Sequence, residues 1–173
     1  MPNAVQLIKQ DHKKVAGLFQ KYQKTKGSEA KRKIAEQAME QLEIHAKLEE
    51  EIFYPAAKKE IEDSDLINEA VKEHSTVKEL IEELRGMSPG DEDFEQKWSE
   101  LVENVEHHVQ EEETELLPEV EDTEMDLSEF GEEMAERKEE LMEENGMDGK
   151  SSSRSRSASK SRSRSKSKRS TRH

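Results

Sequence analysis

The sequence predicts an all-α protein: an up-down-up-down four-helix bundle with an additional C-terminal helix and a disordered basic tail. Three observations predict it. Apolar residues recur every three or four positions over four long stretches, the period of an amphipathic helix. Hydrophobic residues make up 30% and aromatic residues 4% of the 173 positions, so the core is a narrow stripe between helices and not a thick sheet sandwich. The chain also repeats itself. HAKLEEEIFYP (His45 to Pro55) and HVQEEETELLP (His108 to Pro118) lie 63 positions apart and fit one template: His, three residues, Glu-Glu, two residues, two apolar residues, Pro. Upstream, Asp11-His12 and Glu73-His74 open a second shared template of acid, His, two residues, Val, two residues, Leu, at a distance of 33 and 34 residues from the first. The repeat unit is therefore a half-domain of about sixty residues.

Each element follows in order. Val5, Ile8, His12, Val15 and Phe19 define a first helix that ends near Gly27. Ser28 is expected to cap a second, with Ile34, Ala38, Leu42, His45, Glu49 and Ile52 in one stripe. Ser64 or Asp65 opens a third, where Ile67, Val71, His74, Val77, Ile81 and Leu84 align until Arg85-Gly86 and Pro89 stop it. Asp91 opens a fourth, carrying Phe94, Trp98, Leu101, Val105, His108, Glu112 and Leu116. Short connections favour antiparallel neighbours. A weaker fifth helix runs from about Asp126 to Asn145, with Leu127, Phe130, Met134 and Leu141 on one side and Gly146 as its stop, and is expected to lie across the bundle. The domain reading is a bundle over residues 1–122, an amphipathic helix over 123–149 and a Ser/Arg/Lys-rich tail over 150–173.

Charge divides the chain. Residues 151–173 hold nine Lys/Arg, eleven Ser and no acid, a charge of +9, while the rest carries −23. Such a tail suits contact with nucleic acid or another polyanion through phosphates, silenced by Ser phosphorylation. The alternative is a solubilising tail that folds back on the acidic body. With no Cys, disulfides, thiolate metal sites and Cys nucleophiles are excluded. No segment resembles a signal peptide or a membrane span, so a cytoplasmic location without membrane contact is expected. Oligomeric state is not legible.

Every stripe carries a His near its middle. Residues four apart on a helix point the same way, so His45 with Glu49 and His108 with Glu112 each offer an imidazole and a carboxylate to one point between helices. Antiparallel turns bring His12 and His74 to the same level. Burying two carboxylates without a Lys or Arg on their stripes is costly, and metal ions supply the missing charge. Two ions bridged by two carboxylates, each also bound by two imidazoles, satisfy six side chains. That donor mixture suits iron, with manganese or zinc as substitutes. His107 falls on a polar face and is expected to be exposed, and His173 lies in the tail. Tyr54 reads as a helix-packing aromatic before a donor of an electron or hydrogen bond. Glu50, Glu51, Glu111 and Glu113 read as solvated faces, and Pro55 and Pro118 as helix bends or ends.

At these residues the sequence resembles the hemerythrin-like family of HHE cation-binding domains, whose pattern is H…HxxxE…H…HxxxE with Pro soon after each Glu. The resemblance covers roughly residues 3 to 122. It implies a non-haem di-iron centre with an oxo or hydroxo bridge, ligated by His12, His45, Glu49, His74, His108 and Glu112, that binds dioxygen, nitric oxide or peroxide or changes redox state. Oxygen-carrying hemerythrins place another His four residues after the third-helix His, where this chain has Lys78. Their last helix carries HxxxxD, whose acid would fall on Glu113. Fewer imidazoles suit sensing, redox or metal handling better than reversible oxygen carriage. Iron storage or detoxification is the alternative function, and a metal-free structural adaptor a further one. No residue indicates an organic substrate.

Overall fold

A computed structural model describes residues 2–62, 64–88 and 90–146, all of them helical or in connections, with no strand among them. Helix α1 (Ala4–Lys24) starts in a capping box: the Asn3 side chain accepts from the Gln6 N–H at 2.9 Å, and the Gln6 side chain accepts from the Asn3 N–H at 3.0 Å. Three residues then reverse the chain. Gly27, at φ 96°, takes the left-handed conformation open to glycine and is itself the N-cap of α2 (Ser28–Leu48). Ser28, expected as the cap, is the first helical residue instead, and no side-chain cap bond forms there.

Neither proline ends its helix. A π-helical turn over Glu49–Phe53 joins α2 to α3 (Tyr54–Glu60), and a second over Glu112–Leu116 joins α5 (Glu92–Glu111) to α6 (Leu117–Glu121). Proline has no N–H for the carbonyl four residues back, and its ring crowds that carbonyl. The wider π turn before Pro55 and Pro118 relieves that crowding and lets the helix continue. Between the two halves, α4 spans Asp65–Arg85. Asp91 caps α5 by accepting from the Asp93 N–H at 3.4 Å.

Helix α1 packs on α2, and α4 packs on α5. All four share one apolar core of Val15, Phe19 and Tyr22, Ile34 to Leu42, Leu80 to Leu84, and Phe94 to Val105. Trp98 stacks on Tyr22 at 4.6 Å and meets Phe19 edge-on at 5.6 Å. This cluster begins three residues along the chain from His12, His45 and His108 and six from His74, and Ile8, Leu48, Phe53 and Leu117 are buried on the far side, so the polar side chains interrupt an apolar core.

The described residues fall into two compact units, divided between Ala135 and Glu136. Helix α7 (Leu127–Glu144) begins in the first. Asp126 caps it by accepting from the Glu129 N–H at 3.1 Å, and Met134 is fully buried. Gly131 rests on the start of the chain so closely that a Cβ there would stand 2.7 Å from the Pro2 carbonyl oxygen. In the second unit, Arg137 pairs with Glu140 at 2.9 Å. The basic tail lies outside the described residues. No helix among the described residues is long and apolar enough to cross a membrane.

Candidate metal centre

Six polar side chains converge within the apolar core. His12, His45, Glu49, His74, His108 and Glu112 are each at most 7% exposed. They form two groups whose potential ligand atoms lie within 4.8 Å of one another: His12, His45, Glu49 and Glu112 in one, Glu49, His74 and His108 in the other. Glu49 belongs to both, with its Oε1 3.2 Å from His45 Nε2 and 3.1 Å from His74 Nε2. Glu112 spans them with its two oxygens, Oε1 lying 3.2 Å from His12 Nε2 and Oε2 3.5 Å from His108 Nε2. Imidazoles from one half of the repeat thus share a group, and the two carboxylates connect the groups. His107 stands apart, with its side chain 65% exposed and 3.1 Å from Glu111. His173 lies outside the described residues.

The π turns decide what stands beside the carboxylates. In an α-helix, Tyr54 would point about 140° away from Glu49, five residues earlier. A π turn bonds across five residues, and the Tyr54 N–H donates to the Glu49 carbonyl. That carries the phenol back over Glu49. Its hydroxyl donates to Glu112 Oε2 at 2.6 Å and lies 3.1 Å from Glu49 Oε1 and 3.4 Å from His74 Nε2. Tyr54 is therefore part of the polar site: of its two expected roles, the hydrogen-bonding one is present and not only the packing one placed first, and a stripe drawn at period 3.6 does not carry across the turn. The matching π turn delivers Leu117, also fully buried, to the equivalent place in the other half.

A second set of carboxylates holds the outer ring nitrogens. Nδ1 of His45 meets Asp11 Oδ2 at 3.1 Å, and Nδ1 of His108 meets Glu73 Oε1 at 2.8 Å. Nδ1 of His12 meets Glu113 Oε2 at 2.6 Å, and Nδ1 of His74 meets Glu50 Oε2 at 3.2 Å. The acid preceding the first His of each half therefore serves the second His of that half. The acid following each buried Glu serves the first His of the opposite half. Glu50 and Glu113, expected on solvated faces, are bound to imidazoles instead. The signal was present in the repeated acid-His pair and the repeated Glu-Glu.

Electrostatics without a metal are uneven. Burial pulls the His45 imidazole down, but Glu49 and Asp11 outweigh it and hold its pKa well above the ordinary value. His108, opposed by burial and favoured by Glu49 and Glu73, is raised to about 10. Glu49 is held low despite its burial, by His45 in particular, whereas burial and the Glu49 charge push Glu112 up. Burial and the two carboxylates push the Tyr54 phenol well above its ordinary range. Four buried atoms, His12 Nε2, His45 Nε2, Glu49 Oε2 and Glu112 Oε1, lack a hydrogen-bond partner among the described residues. Close approach to a neighbour at 3.2 Å is not an aligned bond for His12 or His45. Buried acceptors left in this way are costly, and a cation is the partner that suits unpaired N and O atoms facing one point. The residues present fit a metal.

Openings of different character reach the centre. On the imidazole side, a cavity of about 40 Å³ is lined by the four His rings, by Val15, Leu42, Val77, Ile81, Val105 and Val109, and by Lys78. That exceeds the ~10–15 Å³ a single water needs. Between α4 and α5, a groove of about 260 Å³ is walled by Asp65, Glu69, Glu73, Glu111 and Glu115 and reaches His108 and Glu112.

Residues 3–120 match the hemerythrin HHE cation-binding domain, and the chain belongs to that family. Among solved structures it is similar to a hemerythrin HHE cation-binding domain-containing protein from Mycobacterium kansasii, at 30% identity and a TM-score of 0.72, over 82% of this chain and 88% of that one. It is also 30% identical over 115 residues to a protein of Nostoc sp. (strain PCC 7120) described as a DNA nickase. That match takes in 66% of this chain but 32% of the Nostoc protein, so the chain spans about a third of its relative's length.

Proposed function

We propose that this chain is a non-haem di-iron protein that binds or senses dioxygen, nitric oxide or peroxide, or responds to redox state. His12 and His45 would hold one iron, His74 and His108 the other, and Glu49 and Glu112 would bridge them. Iron bound there supplies reversible one-electron chemistry and an affinity for small oxygen- and nitrogen-centred ligands. The chain's own groups do the rest. The six donors set the coordination, Tyr54 holds a proton against Glu112, and the valines and isoleucine of the cavity exclude bulk water and anything much larger than a diatomic molecule. The supporting observation is the juxtaposition of a small, mostly apolar cavity with four imidazoles that share two buried carboxylates.

The acidic groove favours a second reading, iron storage or detoxification, in which Glu69, Glu73, Glu111 and Glu115 draw cations toward Glu112. Elemental analysis with visible spectra in air, before and after nitric oxide or peroxide, separates the two. A sensor holds a fixed iron complement whose spectrum changes with the small molecule. A storage protein accumulates iron beyond that complement. A colourless, metal-free protein would contradict both and favour a structural adaptor.

The basic tail is proposed to contact nucleic acid or another polyanion. The nickase described for the Nostoc relative is a property of a protein of which the match covers 32%, and its activity is not carried over to this chain.

A further inference from the structure

We infer that Asp11, Glu50, Glu73 and Glu113 are positioning residues that aim all four imidazoles at the metals and tilt the centre toward its oxidised state, with Asp11 contributing most. The inference rests on the di-iron reading above, but it concerns four residues outside the ligand set. The observation is completeness. Each of the four His rings has a carboxylate oxygen within 2.6 to 3.2 Å of Nδ1. A carboxylate accepts the Nδ1–H, so each ring presents the Nε2 lone pair inward, and the inward atoms are those that face Glu49 and Glu112. Such partners raise the basicity of the ligating nitrogen and fix the ring's orientation.

Charge follows from the same arrangement. Four anions around four neutral imidazoles stabilise the more positive, oxidised metal ions more than the reduced ones. How strongly each acts depends on solvent, because a charge in a low-dielectric interior is weakly screened. The Asp11 side chain is 4% exposed, against 19% for Glu73, 30% for Glu50 and 34% for Glu113. Asp11 therefore acts most strongly although its contact of 3.1 Å is longer than the 2.6 Å of Glu113. The two cross-half pairs, His12 with Glu113 and His74 with Glu50, also tie the halves together through the ligands themselves.

Asparagine separates charge from hydrogen bonding, since its side-chain oxygen can still accept the Nδ1–H. The experiment uses the full, iron-loaded chain and follows its absorption through a spectroelectrochemical titration, together with iron loss to a chelator in each oxidation state. Asp11→Asn is expected to raise the midpoint potential; a tenfold loss of preference for the oxidised form is ~59 mV for one electron. It should also yield oxidised iron to the chelator about 10–100-fold more readily, with the reduced iron less affected. Asp11→Glu should restore the potential, Glu113→Gln should shift it less, and Glu103→Gln on the exposed face of α5 should not shift it. Glu73→Gln carries the same expectation at smaller size and keeps the test open if Asp11→Asn fails to fold. An iron-loaded wild type with unmoved potentials in both Asn and Gln variants would overturn the inference and leave the di-iron reading standing. A wild type that holds no iron would overturn both.

Discussion

The Tyr54 hydroxyl donates to Glu112 Oε2 at 2.6 Å, across the pseudo-symmetric halves of the chain. It can do so because the π turn from Glu49 to Phe53 brings a residue five positions after Glu49 back over it. Removing the hydroxyl leaves a buried carboxyl oxygen without its donor, which costs about 1–3 kcal/mol. Tyr54→Phe should therefore lower the unfolding free energy of the metal-free chain by that amount in a denaturant titration. A wild-type value would mean that the bond contributes nothing.

Metal affinity should rise with pH. A ligating imidazole must be neutral, yet His45 is held well above its ordinary pKa and His108 is raised to about 10 in the metal-free chain. Binding must expel those protons, which becomes easier as pH climbs toward 10. The metal-free fold moves the other way. A raised folded pKa gives His108 a stabilising contribution that is complete below its unfolded value of about 6.5 and lost as pH rises through about 10. The gap in melting temperature between metal-loaded and chelated protein should accordingly widen from pH 7 to pH 10. A constant gap, with metal loss verified, would argue against protonated imidazoles at the site.

Gly131 has no room for a side chain, because its Cβ would meet Pro2 oxygen at 2.7 Å and the Asn3 and Ala4 backbone within 2.9 Å. Gly131→Ala gains up to about 1 kcal/mol of helix propensity. Backbone overlap of this kind typically costs about 1–3 kcal/mol, so the expected net effect is destabilisation, read as a lower denaturation midpoint. A stabilised variant would show that the start of α7 does not rest on residues 2–4.

Much of this was legible in the sequence because helices write their faces at a fixed period. His12, His45, Glu49, His74, His108 and Glu112 all fall on apolar stripes, and the duplication gave each a counterpart. What periodicity could not supply was Tyr54, since a stripe drawn at 3.6 residues per turn loses its register across a π turn. Glu50 and Glu113 were missed for a related reason. Neighbours of a buried residue on a helix usually point outward, and nothing in one helix announces that an outward carboxylate will meet an imidazole from the other half. Ser28 was misplaced because Gly27 took the cap through its left-handed φ of 96°.

Separation of the tail from the centre gives another test. Deleting residues 151–173 removes nine positive charges but none of the six candidate ligands. The full chain should bind DNA or RNA at low salt with little sequence preference and a steep loss as salt rises, and the shortened chain should lose that binding with its metal content and spectrum intact. Failure of the full chain to bind would return the tail to a solubilising role. Loss of iron on deletion would contradict the division of labour.

Iron content across four proteins tests the central claim most directly. Elemental analysis of the purified, iron-loaded wild type should find about two irons per chain, as a bundle-core di-metal site requires. His107→Ala, at an exposed ring, should match it. His45→Ala and Glu49→Ala should each fall sharply, because both side chains are buried in the group that also holds His12 and Glu112. Equal iron in all four proteins would contradict the account.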